Sequence, residues 1–179
     1  MKKIVLAAVF AVASVAANAQ VWMGGEVGYQ HTKITNNGNT LSKENIFTLA
    51  PEIGYTLNDK WDIAAAIGFG HTDDDNASTN SFILNPYARY KAVKAGNFTF
   101  FLDGGFAYQL DHTHGVDDNT NSWEIAIKPG FSYAISPKVS LVAHVGKFGW
   151  AFSKRGDLKA NQVNIGVDNA VAFGAYVSF

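Results

Sequence analysis

Apolar residues alternate with polar or small ones along most of this chain. From Trp61 onward, Trp61, Ile63, Ala65, Ile67 and Phe69 share one parity, and Asp62, Ala64, Ala66, Gly68 and Gly70 share the other. A period of two is that of a strand with one apolar face. The same pattern predicts strands at about 21–31, 44–57, 61–71, 81–91, 97–109 and 122–133, and a seventh from Val139. In the first of these, Val21, Met23, Val27 and Tyr29 oppose Gly24, Glu26, Gly28 and Gln30. The parity of the seventh blurs at Phe148-Gly149-Trp150, so a bulge is expected at Gly146 or Gly149. An eighth strand is expected to begin between Asn161 and Ala170.

A short frame, Pro-x-apolar-x-Tyr, recurs at 51–55, 86–90 and 129–133, and returns without its Pro and Tyr at 175–179. Each copy is the second half of a hairpin, so four copies predict four hairpins and eight strands. Proline removes a ladder donor, and its return at one frame position predicts an outward bulge near the interface. The connections after the frames are short, whereas those at 32–43, 72–80, 110–121 and 153–160 are longer and polar.

Short turns at one end and long loops at the other describe an all-β fold, an eight-stranded antiparallel up-and-down transmembrane β-barrel. Tyr55, Trp61, Tyr90, Phe98 and Tyr133 flank the short turns and, with Phe179, would form an aromatic girdle. A soluble lipocalin-like barrel has the same alternation. What separates the two is the second face. It carries Glu26, Glu52, Asp62, Arg89, Asp103, Glu124, Lys128 and His144 among small residues, too sparse for a solvated exterior and suited to a narrow interior of ion pairs.

Composition adds bounds. With 14 basic and 15 acidic residues in 179, bulk charge gives no reason for a nucleic-acid partner, and without cysteine there is no disulfide framework or thiolate metal site. Residues 1–19 read as a cleaved signal peptide: basic Lys2-Lys3, an apolar run, then Ala17-Asn18-Ala19. That leaves 20–179 as a single barrel domain with both ends on the periplasmic side.

These features resemble the small outer-membrane β-barrels of Gram-negative bacteria, the OmpA/OmpX-like eight-stranded class in its single-domain form. The resemblance implies residence in the bacterial outer membrane. The implied partners are outer-membrane lipids, lipopolysaccharide and the assembly machinery, which would read a terminal signal comprising Phe173, Tyr176 and Phe179. An extracellular surface ligand is a further possible partner; adhesion, defence, structural and lipid-modifying members share the barrel, so fold alone fixes no role.

Three candidate chemistries follow. The interior charges read as a structural plug, with a narrow solute channel as the alternative. His31, His71 and His112, each followed by Thr, stand where strands enter the polar connections, with His114, Asp73, Asp74, Asp75, Asp111, Asp117 and Asp118 nearby. Their spacing fits no standard metal motif, so a solvated rim is expected, with no metal or cofactor. A lipid A-modifying enzyme is the remote alternative, and His144 lacks the Ser two residues on that such chemistry would use. No catalytic residue is expected.

Overall fold

The computed structural model describes residues 20–36, 39–74, 77–166 and 172–179; the expected signal peptide lies outside them. Among the described residues the secondary structure is all strand: β1 (Val21–Asn36), β2 (Asn39–Thr56), β3 (Trp61–Asp74), β4 (Ser78–Ala95), β5 (Phe98–Thr113), β6 (Thr120–Ala134), β7 (Val139–His144), β8 (Lys147–Arg155), β9 (Leu158–Gly166) and β10 (Ala172–Ser178). β1 to β7 pair with successive neighbours, β7 pairs with β10, and β10 returns to β1. Every pairing is antiparallel, and this ring closes an eight-stranded barrel.

β7 and β8 are two halves of one crossing. Gly130 faces His144 but Ile127 faces Phe148, a slip of one residue. Gly146 absorbs it with φ 116, a conformation that side chains oppose. The bulge is therefore at Gly146, one of the two expected positions.

Alternation sorts the two faces as the pattern requires. Ile63, Ile67, Phe69, Leu84, Ile125 and Leu141 are exposed on the outside, whereas Glu52, Asp62, Arg89 and Asp103 are buried within. The expected girdle residues stand outward at the end shared by Val21 and Phe179. Rings of Trp61 and Tyr90 lie 4.9 Å apart, and those of Phe98 and Tyr133 4.7 Å.

Several expectations are corrected. The long polar connections are mostly strand: β1 runs to Asn36, β2 starts at Asn39, β5 runs to Thr113 and β6 starts at Thr120. Above the apolar faces the hairpins simply continue, where both faces are polar and alternation leaves no trace. The fourth connection is a tight turn at Gly156-Asp157, so the last crossing begins at Leu158, earlier than expected. Gly156, with φ 55, supplies that turn.

Neither Pro51 nor Pro86 produces a bulge, while Pro129 lies opposite the slip at Gly146. The β2–β3 ladder has no pairs at Ala50 and Pro51 yet keeps register from Leu49↔Phe69 to Glu52↔Ala66, and β4–β5 does the same across Asn85 and Pro86. The rings cost a local hydrogen bond without adding a residue. The slip in β4 lies at Lys91/Val93 instead.

Candidate functional site in the barrel interior

Inward positions of the strands converge on a septum in the lumen, within a few residues of the Val21 end. At its centre Arg89 donates from Nε and Nη2 to the two oxygens of Asp103, both at 2.7 Å. This fork-to-fork pair matches guanidinium and carboxylate geometry. The guanidinium carbon lies 3.9 Å from the Phe101 ring centre and 5.1 Å from that of Tyr176, with Trp22 and Tyr87 each at 5.5 Å. Four rings thus surround a buried cation, and their π faces offset part of its lost hydration.

Acids and bases fan out from this centre. His144 sets Nδ1 2.6 Å from Glu26 and Nε2 2.8 Å from Asp103. With a carboxylate at each nitrogen, both donate in the imidazolium form. Glu52 accepts from the Tyr87 hydroxyl at 2.6 Å and the Tyr176 hydroxyl at 2.9 Å. Lys91 pairs with Asp62 at 2.7 Å, and Glu124 receives Lys147 at 2.6 Å and Lys128 at 3.9 Å.

The eight interior residues singled out by parity therefore all face the lumen. Parity does not say which groups pair: the partners are Lys91, Lys147 and the four rings. Tyr176, expected in the terminal signal, points inward, 6% exposed, and holds Glu52 and Arg89. Val177 and Phe179 do face outward; the side chain of Phe173 lies outside the described set.

A legible signal did exist for the rings. Trp22, Tyr87, Phe101 and Tyr176 sit directly opposite Gly54, Gly105, Gly130 and Gly24. A Cβ at Gly24, Gly54 or Gly130 would fall inside the contact distance of the ring opposite, and one at Gly105 would meet Cβ of Tyr87. Large rings lie across the lumen only because the neighbouring strand offers no side chain. The fit leaves one cost: among the described residues, Trp22 Nε1 is the buried side-chain polar atom without a hydrogen-bond partner.

Two cavities flank the septum. One of about 240 Å³ lies between Glu26, Glu52, Asp103 and His144 and the Lys128–Glu124–Lys147 cluster, and one of about 740 Å³ opens at the Val21 end beside Asp62, Arg89 and Lys91. The two share no lining residue.

At the far end, Nδ1 of His31, His71 and His112 donates to Oδ1 of Asn45, Asn80 and Asn119 at 2.8, 2.9 and 2.8 Å. Two of the neighbouring carboxylates are engaged elsewhere: Asp111 accepts from Ser81 and Gln109 inside the barrel, and Asp74 accepts the Ala77 amide. Among the described residues no group of three or more His, Cys, Asp or Glu is placed to hold a metal ion. Asp75 lies outside them.

A closed barrel with an apolar exterior and charges sealed within defines a transmembrane β-barrel. The chain matches the family model described as outer membrane protein beta-barrel domain over residues 4–169 and belongs to that family. Its place is the bacterial outer membrane, in contact with that membrane's lipids. Among solved structures it is similar to Neisserial surface protein A, with TM-score 0.57 and 16% identity over 90% of this chain and 98% of that one. OprG of Pseudomonas aeruginosa (TM-score 0.53, 15% identity, 89% and 96% covered) and outer membrane protein W of E. coli (0.51, 15%, 89% and 97%) share the fold. No curated protein sequence matches the chain.

Proposed function

We propose that this is a non-enzymatic outer-membrane barrel with a closed lumen, acting as a structural or surface-interaction protein. The observation that carries the reading is the septum between two cavities with no residue in common. A solute crossing it would have to part Arg89 from Asp103 and slide between Phe101 and Tyr176. Breaking one member of such a buried pair costs about 3–5 kcal/mol, far above thermal energy. A catalytic role finds no support inside, since His144 spends both ring nitrogens on carboxylates.

In this reading residues 1–19 are removed on export, both ends of the barrel face the periplasm, and the extended hairpins face outward, toward lipopolysaccharide and any surface ligand. The assembly machinery would read the terminal segment that holds Phe173, Tyr176 and Phe179. Planar-bilayer recording tests the closed lumen: no steady current is expected, and long-lived uniform openings would replace this reading with the channel. Unchanged lipid A by mass spectrometry on overexpression is the matching expectation for an enzyme-free barrel.

A further inference from the structure

The fourth outer hairpin ends in a two-residue turn. Arg155 faces Leu158, so Gly156 and Asp157 alone join β8 to β9, and Gly156 takes φ 55 to make the turn. A side chain at this position is excluded twice over. The φ opposes it, and Oδ2 of Asp118 on the neighbouring hairpin would lie 2.7 Å from a Cβ. The apex therefore reads Arg155-Gly156-Asp157, and all three residues are exposed.

Turn chemistry accounts for Gly156 and for a polar residue after it, but not for the rest of the tip. Directly below the turn Arg155 faces Leu158, and one step further Lys154 faces Lys159. Like charges across a ladder weaken it, where opposite charges would hold it. Among the described residues neither Arg155 nor Asp157 makes a side-chain hydrogen bond or ion pair, even with Asp118 against the turn. Leu158 stands beside them 72% exposed. The fold itself makes no use of this guanidinium, this carboxylate or this apolar side chain.

A guanidinium and a carboxylate on either side of one glycine, at the end of a paired hairpin, form a two-point ligand. The guanidinium calls for a carboxylate in fork geometry. The carboxylate, free on a protruding turn, suits an open coordination position on a divalent cation that another protein holds. Because the turn fixes the spacing beforehand, little ordering entropy is lost on docking. Arg-Gly-Asp is the tripeptide that integrins, adhesion receptors of animal cells, read in this way. We infer that the tip of the fourth hairpin binds an integrin, with Arg155 on a receptor carboxylate, Asp157 on the receptor's divalent cation and Leu158 in apolar contact beside them. This names the partner class within the surface-interaction reading, and rests on the outward placement of the hairpins but not on the closed lumen.

The test uses residues 20–179 refolded into phosphatidylcholine nanodiscs, passed over an immobilised Arg-Gly-Asp-binding integrin ectodomain in manganese buffer and followed by surface plasmon resonance. Saturable binding is expected, displaced by a soluble Arg-Gly-Asp peptide and lost on chelation with EDTA. Asp157→Glu keeps the charge but moves the carboxylate by one methylene, and should weaken binding about tenfold or more. Heat-dependent gel mobility reports that the variant is folded. No binding, or binding indifferent to EDTA or to Asp157→Glu, overturns the inference.

Placement is checked separately. The chain has no cysteine, so Asp157→Cys supplies a single thiol for a membrane-impermeant maleimide on intact cells. Labelled cells with an integrin-blind wild-type barrel sink this inference alone, whereas unlabelled cells sink the outward placement and this inference with it. A barrel that conducts yet binds the integrin sinks the closed-lumen reading alone.

Discussion

Asp103 is the residue on which the interior turns, because both Arg89 and His144 depend on its oxygens. Asp103→Ala would leave a guanidinium and an imidazolium facing one another in a ring of aromatics. The expected outcome is a loss of about 3–5 kcal/mol, read from urea unfolding in detergent micelles. Lys128→Ala should cost under about 1 kcal/mol in the same assay, since its contact with Glu124 is long and Lys147 still holds that carboxylate. The ring–glycine pairs give a second residue-scale expectation. Gly54→Ala would drive a methyl into the Trp22 indole and is expected to cost about 1–3 kcal/mol, with a shift in tryptophan emission as the ring moves.

Among the strands, the break between β7 and β8 does the most to set geometry, because it lets one crossing pair with β10 below and β9 above while keeping β6 throughout. Gly146→Ala would strain a backbone at φ 116. About 1–2 kcal/mol of destabilisation is expected, again by urea unfolding, whereas Gly104→Ala, with open space around it and an ordinary φ, should be nearly neutral. The strands themselves were legible because lipid outside and packed charge inside impose opposite demands on successive residues. Their upper ends were not, because Thr72 to Asp74 and Asp111 to Thr113 are polar on both parities and lose the contrast that parity needs. Parity places Tyr176 on the inward face, but the partner of its ring was not legible: that it lies over Gly24 follows only from the β1–β10 register.

For the whole molecule, closure and interior charge could both be read from sequence, but the division of the lumen could not. Parity says which side chains point inward; it does not say that Trp22, from one end of the chain, and Tyr176, from the other, stack with ring centres 4.5 Å apart beside Arg89. That contact depends on the β1–β10 closure. A barrel closed this way should migrate faster on gels before boiling than after, and a mature chain cut short before β10 should lose that shift. The aromatic and charged filling has a mechanical side as well. A cylinder braced across its septum by interlocked rings and ion pairs resists being squeezed into an oval at that level, so crowding or tension in the surrounding lipid is met there by stiffness.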